Sequence, residues 1–200
     1  GFARQDRKDK PRVSIGAKLI TNLLVAAGVD RIITMDLHSD QIQGFVDIPV
    51  DHMYASSIFV PHLMKMDVPN LVMASPDTGG TKRAAAYAKF LDTDLVICFK
   101  QRKRANEIGS LRIIGDVKGK DIVLVDDIID TAGTITTAAN MMMDEGANSV
   151  RAMCTHPVFS ANAVQLIEDS ALTEVLVTDT IKREQQGKIT TLSTAHIFAD

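Results

Sequence analysis

The sequence predicts an α/β fold in which helices cover both faces of a parallel sheet. Short, near-continuous apolar runs recur along the 200 residues, and segments with a helical apolar period lie between them. Several runs end directly in polar or acidic residues, as at Asp36, Ser75 and Asp126. Runs that are apolar throughout suit strands buried on two faces rather than one.

The elements follow in order. Ile20, Leu23, Leu24 and Ala27 recur at helical spacing, and Gly28 follows as a stop. Arg31 to Met35 reads as a strand ending in Asp36-Leu37-His38. Asp47-Ile48-Pro49-Val50-Asp51 breaks the character of the chain and reads as a connection between two domains. Leu71 to Ala74 is a second strand, followed by Ser75-Pro76-Asp77-Thr78-Gly79-Gly80. Ala84, Tyr87, Ala88 and Leu91 mark a helical face, and Leu95 to Phe99 a third strand. Ile122 to Val125 is a fourth strand, and Ile135, Ala138, Ala139 and Met142 mark the next helix. Ser149 to Cys154 and Glu174 to Thr178 are further strands with a helix between them, and another helix begins near Thr194.

The bulk numbers exclude several classes. Hydrophobic residues are 46% and charged residues 24%, as in a soluble domain with a sizeable core. A formal net charge of -3 argues against wholesale nucleic-acid or membrane binding, so any basic site is local. Cys98 and Cys154 sit in or beside apolar runs with no CxxC pair, which predicts buried thiols in a reducing, cytoplasmic compartment. No apolar run reaches membrane-spanning length, and the polar, basic start Phe2 to Lys8 is not a signal peptide. The chain lacks an initiator methionine and stops as a helix begins, so both ends look cut.

The strongest chemical signal is the run from Ile122 to Thr134. It is an apolar strand, then Asp126 and Asp127, then Asp130-Thr131-Ala132-Gly133-Thr134 opening a helix. In open α/β sheets the ligand sits beyond the carboxyl ends of the strands. Thr131 to Thr134 would present N–H groups and hydroxyls at a helix N-terminus, which suits phosphate. Ionised Asp126 and Asp127 accept hydrogen bonds only, so they suit vicinal sugar hydroxyls, which donate. A phosphate cradle beside a pair of acids describes a pentose phosphate. Asp130 alone would serve equally as a helix cap. Two more acids directly after an apolar strand are not explained that way. No GxxxxGK[ST] loop exists, so this is not a P-loop enzyme.

This run resembles the phosphoribosyl-diphosphate-binding motif of the type I phosphoribosyltransferase fold. Phe2 to Lys8, Asp36-Leu37-His38 with Gln41 to Phe45, Ser75-Pro76-Asp77 with Gly79-Gly80, and Lys100 to Asn106 narrow the likeness. Together they are similar to the ribose-phosphate pyrophosphokinase (phosphoribosyl diphosphate synthetase) family, over the whole chain and in order.

The resemblance implies a fold and an activity. Residues 55–200 would form a phosphoribosyltransferase-like domain with the ribose 5-phosphate site, and residues 1–54 the remainder of a related N-terminal domain. The reaction would move diphosphate from Mg-ATP to the C1 hydroxyl of ribose 5-phosphate, giving AMP, with Mg²⁺ as cofactor. His38 and Asp77 would meet the Mg-ATP, with Asp36 a weaker candidate. On its own, His38 reads more readily as a hydrogen-bonded structural residue, since Mg²⁺ prefers oxygen ligands, and the resemblance reverses that. Lys100 and Arg102 would stabilise the transferring group. Without the resemblance, Lys100, Arg102, Lys103 and Arg104 read as a solvated charge run. No aromatic platform accompanies them, so nucleic-acid binding is not implied. Arg4 and Gln5 would contact ATP, and homo-oligomeric subunits would share sites.

The chain also departs from the family pattern. The family's long N-terminal stretch, which carries the adenine-holding residues, is absent, and the chain alone is expected to have little activity. Incomplete packing is expected to expose apolar surface between Ile15 and Phe45. Lys182 stands where the family usually has proline, so that segment is expected to be looser. Two rivals remain. A base phosphoribosyltransferase would share the element from Asp126 to Thr134 but lack the Arg4-Gln5 and Lys100/Arg102 patterns. A non-catalytic regulatory homologue would disrupt the basic loop or the metal positions, which stand intact here.

Overall fold

The computed structural model describes residues 2–8, 10–101 and 110–199, and divides the chain into two compact units, Gly1–Ala55 and Ser56–Asp200. No helix among the described residues is long and apolar enough to cross a membrane.

The first unit holds α1 (Gly16–Ala26), β1 (Ile32–Met35), a 3₁₀ turn (Asp40–Phe45) and β2 (Val50–Met53). β1 and β2 pair in parallel, with Ile32 opposite Val50 and Met35 opposite Met53. The expected connection at Asp47 to Asp51 therefore runs into a strand. Val50 and Asp51 are recruited by the open edge of β1, and their own short, mixed sequence did not announce it. Two strands give α1 little surface to cover. Leu23 is 56% exposed and Ile33 51%, so the apolar surface expected between Ile15 and Phe45 does face solvent in this unit.

The second unit is a seven-stranded sheet. In chain order it holds α2 (Ser56–Met66), β3 (Leu71–Ser75), α3 (Thr81–Leu91), β4 (Asp94–Gln101), β5 (Ser110–Ile114) and β6 (Asp121–Ile129). Then come α4 (Gly133–Asp144), β7 (Ser149–Pro157), α5 (Ala163–Asp169), β8 (Glu174–Thr178), β9 (Ile189–Leu192) and α6 (Ala195–Ala199). The strand order is β5-β4-β3-β6-β7-β8-β9. Every neighbouring pair is parallel except β4 with β5.

In this unit the helical faces read from the sequence are largely buried, whereas Leu23 and Leu24 of α1 are exposed. Ile135, Ala138, Ala139 and Met142 of α4 are all buried, as are Ala84, Tyr87 and Ala88 of α3. α4 and α5 share one core with Ile122, Leu124, Val150, Ala152, Val175 and Val177, while α3 packs against β3, β4 and β6. The central strand β6 is buried along nearly its whole length, as its unbroken apolar run requires. Both cysteines are free and buried, and burial pushes both thiols up, Cys98 to about 11. They are packing residues rather than nucleophiles.

The strand order reverses direction between β3 and β6. From β3 the chain builds outward through β4 to β5, and from β6 it builds the other way through β7 and β8 to β9. A crevice at the carboxyl ends of the strands is expected at such a switch point, because the connections on either side turn away from each other.

Candidate functional site

Four of the segments singled out in the sequence meet the carboxyl edge of this sheet. The Ser75 to Gly80 loop leaves β3, Lys100 lies near the end of β4, and Asp126 and Asp127 lie near the end of β6. Asp130 to Thr134 then lead into α4. Since β3 and β6 are neighbours with Ala74 opposite Leu124, the loop after β3 brings Asp77 close to the β6 acids. A Cβ on Gly80 would come within 2.8 Å of Ser75 Oγ and 3.6 Å of Val125 O, so this glycine lets the loop lie close over β6. The side chain of Lys100 and all of Arg102 lie outside the described residues.

The Asp77 loop folds on its own carboxylate. Asp77 Oδ1 accepts from Gly79 N–H (2.8 Å) and Gly80 N–H (3.0 Å), and Ser75 Oγ donates to Asp77 O (2.6 Å). The side chain is exposed. One of its oxygens thus ties together the turn that precedes α3, whose first residue is Thr81.

The β6 acids differ from the sequence reading in one respect. Asp126 and Asp127 do not leave the strand, because β6 runs to Ile129. β7 is equally long, and its Cys154, His156 and Pro157 pair with Asp126, Ile128 and Ile129, so the ladder carries the acids into the sheet. Asp127 N–H donates to Asp126 Oδ1 (2.9 Å). Burial, then the hydrogen bond and charge of Asp127, then the charge of Asp77, push the Asp126 carboxyl up to about 8. Asp126 is therefore harder to ionise than an ordinary aspartate until a positive charge or a hydrogen-bond donor arrives beside it.

This has a consequence for stability. A carboxyl raised from 3.8 holds its proton in the folded chain where the unfolded chain has released it. Its contribution is complete below the ordinary value and is lost as pH rises toward 8. Asp126→Asn cannot ionise, so its stability relative to the parent should increase between about pH 5 and pH 8. Urea midpoints at both ends of that range test this, and parallel pH trends in the two proteins would show Asp126 ionising normally.

The turn after β6 has the geometry of an anion cradle. Ala132 takes φ 64°, a left-handed conformation that costs a non-glycine residue on the order of 1–3 kcal/mol. Among the described residues no side-chain cap is made at the N-cap position of α4, which is Ala132. The first N–H groups, of Gly133, Thr134 and Ile135, have no intrahelical acceptor, whereas Thr136 N–H reaches Ala132 O (3.0 Å). Thr131 and Thr134 are exposed, and Gly133 has no atom nearer than 4.0 Å to a Cβ built on it. The capping role open to Asp130 is not the one it takes. Its Oδ1 accepts from Ser160 Oγ (2.5 Å), because the segment after β7 reaches this carboxylate and turns it toward β7.

The remaining candidates belong to the first unit. His38 is exposed in the bend after β1, and Asp36 is buried with φ 41°. Asp36 Oδ2 accepts from Ala55 N–H at 3.4 Å. Leu37 N–H donates to His52 Nε2 (3.0 Å), so His52 of β2 fixes the bend. Nothing in Val50 to Met53 signals that role, which depends on β2 lying beside β1. Arg4 and Gln5 are exposed, and Ala17 N–H donates to Gln5 O (3.2 Å) at the start of α1.

Among the described residues no group of three or more His, Cys, Asp or Glu side chains could hold a metal by itself. Mg²⁺ does not need one, since it keeps waters and binds through one or two carboxylates plus substrate phosphates. Asp77, Asp126 and Asp127 supply the oxygen chemistry it prefers. A cavity of about 540 Å³ lies at the opposite edge, where Asp67, Asp92 and Asp94 line it near the amino ends of β3, β4 and β6. Three acids against the single Lys120 disfavour phosphate there, and the cavity lies at the other end of the strands from Asp126 and Asp127.

Comparisons with known proteins bear on the family of the chain. Residues 101–200 match the family described as phosphoribosyl synthetase-associated domain. The ribose-phosphate pyrophosphokinase of Porphyromonas gingivalis is 57% identical over 202 residues, covering 100% of this chain and 64% of its own length. That of Chlorobaculum tepidum is 51% identical over 203 residues, covering 100% and 63%. The crystal structure of phosphoribosylpyrophosphate synthetase from Mycobacterium smegmatis superposes with a TM-score of 0.91 at 40% identity, covering 99% of this chain and 66% of that one. The chain thus spans less than two thirds of the length of these curated relatives.

Proposed function

Because the chain belongs to the phosphoribosyl synthetase family, we propose that it carries the ribose 5-phosphate site of an enzyme that transfers diphosphate from Mg-ATP to that sugar phosphate. The observation that carries this reading is the uncapped, open start of α4 beside the paired acids of β6, at the point where the sheet reverses its strand order. Thr131 to Thr134 receive the 5-phosphate on backbone N–H groups and hydroxyls. Asp126 and Asp127 accept from the ring hydroxyls, and a donor or cation arriving there favours the ionised form that burial disfavours at Asp126.

The C1 hydroxyl then attacks the β-phosphorus of ATP. An O–P bond forms, the bond between the α–β bridging oxygen and the β-phosphorus breaks, the hydroxyl proton is lost, and AMP leaves. Lys100 and Arg102 neutralise charge on the group in transfer. Mg²⁺, when bound, supplies further neutralisation of the triphosphate. By resemblance, Asp77 and His38 are each assigned to Mg-ATP, and Arg4 and Gln5 to the nucleotide. A cytoplasmic location and a homo-oligomer with shared sites belong to the same reading.

Calorimetry with ribose 5-phosphate tests it. The chain should bind the sugar phosphate, and Asp130→Ala should weaken binding about tenfold or more, as for loss of a hydrogen bond to a charged group. Absence of binding by the parent chain, or equal affinity in the two proteins, would remove the assignment.

A further inference from the structure

The segment between β7 and α5 took no part in the reading of the sequence, yet it is built against the phosphate loop. Phe159 N–H donates to Ile129 O (3.1 Å), and Ser160 N–H to Asp130 O (2.9 Å). Ser160 Oγ donates to Asp130 Oδ1 (2.5 Å), and Ser160 O accepts from Ala163 N–H (3.1 Å) at the start of α5. The donors and the carbonyl of one serine are thus all engaged, and two of these bonds end on the same aspartate. On either side of it the backbone takes left-handed conformations at non-glycine residues, φ 42° at Phe159 and 53° at Ala161. Such turns persist where the surroundings over-determine them, and here they aim the serine at Asp130.

The chemistry of Asp130 makes this contact informative. An ionised carboxylate donates no hydrogen bond and repels a phosphate, so beside an anion cradle it serves best by ordering the loop. An oxygen already holding a serine hydroxyl is fixed in direction and partly neutralised. We infer that Ser160 is a positioning residue for the sugar phosphate, holding Asp130 so that Thr131 to Thr134 present their N–H groups in place before the ligand arrives. This rests on the reading of Thr131 to Thr134 as the phosphate cradle.

Two measurements on the whole chain test it, one without ligand. In Ser160→Ala, the amide of Thr136, which donates to Ala132 O at the loop's exit, should exchange about tenfold faster, while amides of Ile122 to Leu124 keep their protection. By calorimetry, Ser160→Ala should bind ribose 5-phosphate about tenfold more weakly. On an Asp130→Ala background the same change should cost nothing further, because the partner is gone. Parent-like exchange at Thr136 would overturn the inference, as would additive losses in the double variant. If the parent chain binds no ribose 5-phosphate, the proposed function fails, and exchange at Thr136 still decides the role of Ser160. If Ser160→Ala loses protection throughout the sheet, Ser160→Thr decides. Parent-like exchange at Thr136 with the hydroxyl retained upholds the inference, and alanine-like exchange overturns it.

Discussion

In the active enzyme, Lys100→Ala is expected to lower kcat by about 10²–10³-fold while raising the substrate KM values far less. The expectation follows from where the chain places this residue and from what the proposed diphosphate transfer demands. Lys100 is the penultimate residue of β4, and the carboxyl end of β4 lies beside that of β3, which leads to Asp77. Transfer at the β-phosphorus shifts negative charge between oxygens, and a fixed cation that meets that charge only at the transition state affects rate more than binding. The measurement is a coupled assay of AMP release with Mg-ATP and ribose 5-phosphate. A variant that keeps the parent kcat would reduce the run from Lys100 to Arg104 to a solvated charge cluster.

Leu124→Ala should destabilise the second unit by about 3 kcal/mol, within the range for emptying a buried leucine site. Leu124 is fully buried in β6, in the core shared with α4 and α5, two residues before Asp126. β6 is held by β3 on one side and β7 on the other, so the cavity cannot close by moving the strand. The loss is a large share of the usual 5–15 kcal/mol of a folded domain. It should appear in urea unfolding as a lower midpoint with an unchanged slope. A midpoint matching that of the parent would mean that the core beneath the site is loosely packed.

Much of this architecture was legible from periodicity because the second unit obeys its local rules. α4 buries the residues at its apolar period, and β8 spans Glu174 to Thr178 as its composition predicts. Illegible elements had weaker signals. α2 carries Pro61 inside it, which removes an N–H and interrupts the helical pattern. β2 and β9 are four residues each and gain their strand form from a neighbour's open edge.

For the site, the sequence by itself determined the chemistry: the acids at Asp126, Asp127 and Asp130, and the small turn residues through Thr134, stand together in the chain. Type and local order suffice for that, because a strand followed by a helix fixes where their shared junction points. Only the tertiary structure decided what the acids do to one another and to the loop. The length of β7 carries Asp126 and Asp127 into the sheet, where burial and the neighbouring Asp127 make the Asp126 carboxyl harder to ionise. Ser160 reaches Asp130 across 30 residues. Such contacts depend on which strands become neighbours and in what register, and no local pattern of residue types encodes a partner that distant.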